Sequence, residues 1–237
     1  MIANLRRAER VAHLEYVPMP GGSQAIREPW RMAAVYLDRA LGDEFLQLNL
    51  PFTNNLDKRA WSTLRKMAAT RTNSPETCSM GRLFDAISSL VGLRTTVNYE
   101  GQAAIELEAV AAGDEAGSYS FEIVEDGAVI RAEPVVSSVV NDLLNNLPVP
   151  SISARFHEAV ADLILSIAQD VRRKRGLDTV ALSGGVFQNV LLVEKTRRLL
   201  LADGFAVLTH HRVPCNDGGI SLGQAVIANA QLGLGRA

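Results

Sequence analysis

Thr179-Val180-Ala181-Leu182-Ser183-Gly184-Gly185-Val186-Phe187-Gln188-Asn189 is the stretch on which the fold turns. Residues 179–182 are of buried-strand type and run into a Gly-Gly turn. Apolar residues then recur at helical spacing over 187–203, up to Gly204. Residues 205–208 read as a second strand, and after the loop 214–219 a further helical run covers about 220–232. This βαβα alternation predicts parallel pairing of the two strands. A glycine pair between strand and helix lets the backbone approach a ligand, and the helix amino end offers free N–H groups, so the turn is a candidate anion or nucleotide seat. A plain strand-to-helix turn is the commoner origin of such a pair, and the segment is neither a Walker A loop nor G-x-G-x-x-G.

Upstream, Ile152, Phe156, Val160, Leu163, Ile167 and Val171 trace one face of a long helix ending near Gly176, with the basic residues 172–175 suited to its carboxy end. Tyr119, Phe121 and Ile123 alternate before Asp126-Gly127, and 129–132 follow, which predicts a two-residue β-hairpin. Helical spacing also covers 80–91, stopped by Gly92, and about 102–112. Pro29 opens a helix over 30–40, and Asn55 or Asp57 caps one reaching 67. The organisation expected is a connecting segment over 1–28, a mainly helical region over 29–175 and a βαβα lobe over 176–237. The fold class is α/β with α+β elements.

With 237 residues, 47% of them hydrophobic, the chain is long enough to bury a substantial core. A net charge of −2, from 24 basic and 26 acidic residues, gives no global field for a polyanion or a membrane surface, so neither is expected as a partner. No apolar run approaches the roughly 20 residues of a membrane span, and residues 1–10 lack a signal-peptide pattern. The cytoplasm is the expected compartment. Cys78 and Cys215 fit no zinc spacing and are expected free.

Asp217 falls at the carboxyl side of the second strand, where α/β ligand crevices form, and can hold a cation or cap a helix. Asp85 and Glu106 could accept ribose hydroxyls, although exposed acids on amphipathic helices are the ordinary case. Cys215 reads as loop filler, and His210 and His211 point to opposite strand faces.

Taken together, residues 182–189, Val213-Pro214-Cys215-Asn216-Asp217-Gly218-Gly219, Ser79-Met80-Gly81-Arg82-Leu83-Phe84-Asp85 and Asn98-Tyr99-Glu100-Gly101-Gln102-Ala103-Ala104-Ile105-Glu106 resemble the HypF carbamoyltransferases of hydrogenase maturation. Several long motifs stand in the family's order, from the His13 region to nearly Ala230. The family's terminal region is similar to the catalytic subunit of the tRNA threonylcarbamoyladenosine synthase, of the actin-like, sugar-kinase and heat-shock ATPase fold. That resemblance implies ribose contacts for Asp85 and Glu106, a pocket wall at Gly101, phosphate and nucleotide contacts for Gly184, Gly185 and Asn189, and a metal ligand in Asp217. No catalytic side chain is assigned. The chain departs from the pattern in extra residues between Asp85 and Tyr99, in Gln102 and in Cys215. The family's His-x-x-x-His metal pair is missing.

The resemblance implies formation of carbamoyl-adenylate from carbamoyl phosphate and ATP, with a divalent metal (Mg, Fe or Zn), and transfer of the carbamoyl group to the terminal cysteine of a HypE-like acceptor. The chain is then expected to be a piece of a longer protein, incomplete alone, with the remaining HypF domains as partners and self-association as a way to cover exposed apolar surface. The alternatives are a non-catalytic docking module for HypE and a fragment of a natural-product O-carbamoyltransferase.

Overall fold

Residues 32–37 and 82–91 are buried without a break, so the two helices that carry them are central to the fold, with no wet face over those stretches. The structure, a computed structural model, describes residues 1–112, 117–124 and 128–233. Short strands β1 (Ile2–Ala3), β2 (Ala8–Glu9), β3 (His13–Leu14) and β4 (Val17–Pro18) come first. They are followed by α1 (Gln24–Arg27), α2 (Trp30–Leu41), α3 (Pro51–Asn55), α4 (Lys58–Ala69), β5 (Glu76–Thr77), α5 (Met80–Leu90) and α6 (Gln102–Ala109). Next come β6 (Glu122–Val124), β7 (Val129–Arg131), α7 (Glu133–Leu144) and α8 (Val149–Arg175). The chain then forms β8 (Thr179–Ala181), α9 (Val190–Ala202), β9 (Ala206–Leu208) and α10 (Ile220–Leu232).

The strands β8 and β9 pair parallel, with Val180 opposite Val207, as the βαβα pattern requires. In a second sheet β7 lies between β6, antiparallel to it, and β3, which pairs parallel so that His13 meets Val129. The β6–β7 pair is the expected hairpin; its Asp126-Gly127 turn lies outside the described residues. Asp57 caps α4 by accepting from the backbone of Arg59 and Ala60 at 2.9 and 3.1 Å. Gly176 ends α8 in the left-handed conformation.

Two hydrophobic clusters organise the interior. The larger joins α2, α5, α7 and the first half of α8, with Phe84 and Phe156 meeting edge to face at 4.8 Å between ring centres. The smaller, Ala168, Leu182, Leu200 and Phe205, seats β8, β9 and α9 on the far half of α8.

Three features differ from the sequence reading. Helix α7 was not anticipated: Val135, Val136, Val139 and Val140 read as strand by side-chain type, yet all four are buried on a helix opened by Pro134. Helix α6 ends at Ala109 and not near 112, where the Ala112 amide instead donates to the Pro150 carbonyl at 3.0 Å. Helix α9 starts at Val190 and not at Phe187, because Gly185–Gln188 close a 3-10 turn and Asn189 caps the helix through the Leu192 amide at 2.7 Å.

We predict that Phe156→Ala, at a position with no solvent exposure, costs about 3–5 kcal/mol in urea unfolding, whereas Leu201→Ala, at a position 45% exposed, costs about 0.5 kcal/mol or less. Equal losses at the two positions would contradict the placement of the core.

Candidate functional site

The helix α5, the loop and first turns of α6, the glycine turn before α9 and the loop before α10 converge on a cleft of about 980 Å³. Asp85, Gly101, Gly185, Asn189 and Asp217 all line it, so the fold brings together five of the seven side chains or turns singled out in the sequence. Residues 84 and 85 share a helix turn, which buries Phe84 and holds Asp85 at the wall. Gly101 starts α6 at φ +84°, a left-handed conformation that favours glycine.

Gly184 adopts φ +106°, and its amide donates to the Cys215 carbonyl at 2.7 Å. It does not line the cleft; it bonds the glycine turn to the loop that presents Asp217. That loop is held by Asn216, whose side chain accepts from the Gly218 amide at 3.1 Å, and it leaves Asp217 exposed. Glu106 is also off the wall. It accepts from Arg94 Nε at 2.5 Å and Gln102 Nε2 at 3.0 Å, and these bonds hold its carboxyl below the usual range.

Glu108, which the sequence reading passed over, takes a place at the wall and accepts from the Leu191 amide at 3.0 Å. Lying two residues beyond Glu106, about 200° further round the helix, it takes the opposite face, and only the packing of α6 shows which face meets the cleft. Glu100 and Tyr99 complete that side. The walls thus carry four carboxylates, Asp85, Glu100, Glu108 and Asp217, against one guanidinium, Arg82. Arg82 Nη1 lies 2.8 Å from the Asp85 carboxylate. Burial dominates Asp85 nonetheless, and with a smaller push from Glu100 it outweighs Arg82 and raises the carboxyl to about 6.

Behind the wall, burial holds the His157 imidazole down at about 4; the Ser153 carbonyl opposes this and Lys195 adds to it. Asn189 Nδ2 lies 2.8 Å from His157 Nε2. Among the described residues no three His, Cys, Asp or Glu side chains converge as a metal-binding group. Asp217 therefore lacks the further ligands of a closed site, and these residues alone do not fit a metal centre. Both cysteines are free, and among the described residues no helix is long and apolar enough to cross a membrane.

A family model described as carbamoyltransferase, Kae1-like domain, second subdomain (HypF_C_2), matches residues 1–224. The chain is 34% identical over 231 residues to carbamoyltransferase HypF of Synechocystis sp., covering 91% of this chain and 29% of that protein. It is 33% identical to the carbamoyltransferase HypF homolog of Cupriavidus necator, covering 94% and 58%. A more distant relative, the tRNA N6-adenosine threonylcarbamoyltransferase of Ehrlichia canis, is 26% identical over 166 residues. Among solved structures, a full-length HypF in a phosphate- and nucleotide-bound form superposes with TM-score 0.91 at 39% identity, over 97% of this chain and 30% of that one. HypF of T. kodakarensis superposes at 0.80 with 28% identity, over 96% and 31%. The fold is accordingly Kae1-like, of the actin-like ATPase class. The chain spans about three-tenths of the length of the Synechocystis relative.

Asp85 and His157 make opposite contributions to stability with pH. His157 has a folded value of about 4 against 6.5 ordinarily, so between these the unfolded chain takes the proton first and stability falls on acidification, by about 3 kcal/mol over the window. Asp85 has a folded value of about 6 against 3.8, so there the folded chain keeps the proton and stability falls as pH rises, by a similar amount of about 3 kcal/mol. The two slopes offset between about pH 4 and pH 6. We predict that Asp85→Asn, which removes one slope, loses about 2 kcal/mol more than the natural chain on acidification across that window, read from urea unfolding at each pH. Parallel curves for the two proteins would refute the assignment.

Proposed function

Since the chain belongs to the HypF carbamoyltransferase family, we propose that its cleft is a nucleotide seat, serving the carbamoyl transfer of a longer protein. The carrying observation is the convergence on one cleft of Asp85, Gly101 and Glu108 with the glycine turn at Gly185 to Asn189. A nucleotide-bound relative of the same fold, at 39% identity, supports this reading.

In this proposal the wall acids Asp85 and Glu108 accept hydroxyl protons of a ribose. The N–H groups of Gly185 and Val186 in the glycine turn face the phosphates. Glu106 would act from behind, by holding Arg94 at the edge of α6. In the reaction proposed for the longer protein, carbamoyl phosphate gives up its phosphate and ATP its pyrophosphate as carbamoyl-adenylate forms, and the carboxy-terminal cysteine thiol of a HypE-like acceptor then takes the carbamoyl group as AMP leaves. Hydrogen-bond donors at the glycine turn would stabilise the charge on the adenylate phosphate. A Mg, Fe or Zn ion would find one protein ligand here, Asp217, and a single carboxylate holds a divalent ion weakly. No chemical step is assigned to that ion.

A second reading, a docking module for the acceptor or for the remaining domains, is favoured by one observation. Helix α10 exposes Ile220, Leu222, Val226, Ile227 and Leu232 at 42–75%. A surface of this kind is suited to cover by another chain, a second copy included.

Calorimetric titration with ATP and Mg²⁺ separates the two. We expect saturable binding, weakened roughly tenfold by Glu108→Gln through loss of one charge-assisted hydrogen bond. A chain that binds an acceptor but shows no heat with ATP is the outcome that favours docking.

A further inference from the structure

His157 lies behind the cleft, fully buried on α8. Its Nδ1 is 2.8 Å from the Ser153 carbonyl oxygen, which can only accept, so Nδ1 carries the ring proton and Nε2 presents a lone pair. Asn189 Nδ2 donates to that lone pair at 2.8 Å. This contact decides which way the Asn189 amide faces, and leaves its Oδ1 to accept from the Leu192 amide at 2.7 Å. The reversed amide would set oxygen against a lone pair and NH₂ against the Leu192 N–H, two repulsive contacts in a buried site.

The same residues bridge the two walls. The Ser153 hydroxyl donates to the Leu107 carbonyl in α6, next to Glu108. Glu108 in turn accepts from the Leu191 amide at 3.0 Å, in the first turn of α9. Hydrogen bonds therefore run from α6 through Ser153 and His157 on α8 to Asn189, and from α9 back to α6.

We propose that His157 is a positioning residue: by accepting from Asn189 it fixes the amide orientation, seats the amino end of α9 and sets the spacing between the glycine turn and α6. The role of that spacing rests on the reading of the cleft as a nucleotide seat; the hydrogen-bond assignment does not. The plainer account is a ring that fills core space against Phe84 and Phe156, at 5.3 and 6.2 Å between centres. Phenylalanine would then serve as well. Burial, which keeps the ring neutral, agrees with the acceptor role.

The test uses the full chain. Nitrogen-15 NMR of the histidine rings at neutral pH should show His157 with Nδ1 protonated and Nε2 bare. In His157→Phe the Leu192 amide should exchange roughly tenfold faster relative to amides later in α9, and ATP with Mg²⁺ should bind roughly tenfold more weakly. A protonated Nε2, or unchanged Leu192 exchange in His157→Phe, overturns the proposal. Should that variant not fold, Asn189→Asp, which puts an acceptor in place of the amide donor facing Nε2, should bring a proton onto Nε2 at neutral pH, and a still-bare Nε2 there overturns it equally. Failure of the natural chain to bind ATP sinks the nucleotide reading, while the ring proton and Leu192 exchange still decide the positioning role.

Discussion

Three of the elements that form the cleft, α5, α6 and the amino end of α9, are fastened to one helix. At about 1.5 Å per residue, the 27 residues of α8 extend about 40 Å, enough to serve both hydrophobic clusters. Helix α5 rests on it through Phe84 against Phe156, and α6 through the Ser153 hydroxyl. Helix α9 is held to it by the Asn189–His157 contact and by Lys195 on Glu158. Moving α8 would move three walls at once. For that reason the polar groups on its buried face, Ser153 and His157, need partners wherever they meet a neighbour.

The charge of the cleft sets a second constraint. Four acids facing one arginine is a poor surface for a bare polyphosphate, since like charges at short range repel strongly where water is scarce. The wall answers part of this itself: Asp85, pushed up to about 6, sits closer to neutrality than an ordinary carboxyl. Backbone N–H groups at the glycine turn carry partial positive charge without a counter-ion.

Much of this was legible in the sequence. Helices α2, α4, α5, α8 and α10 and the β8–β9 pair follow hydrophobic periodicity and glycine stops, signals that depend on nothing beyond the nearest neighbours. Helix α7 was hidden because valine favours strands in isolation, and only packing against α2 and α8 overrides that preference. The site was legible as motifs but not as roles. Asn189 was marked as a nucleotide contact, while its hold on His157, 32 residues away, depends on tertiary geometry. Glu106 and Glu108 were indistinguishable without knowing which side of α6 faces the cleft.

The unequal size of the two clusters bears on cooperativity. Four buried residues seat β8, β9 and the carboxyl end of α9 on the end of α8, whereas the broad cluster holds α2, α5 and α7 and, through Leu192, the amino end of α9. Elements with few buried contacts are the first to open in sub-global fluctuations. The cleft thus lies along a seam between a firmly folded wall and a more readily released one. A ligand that touched both would bind only the closed form and would be coupled by mass action to the folding of the terminal unit.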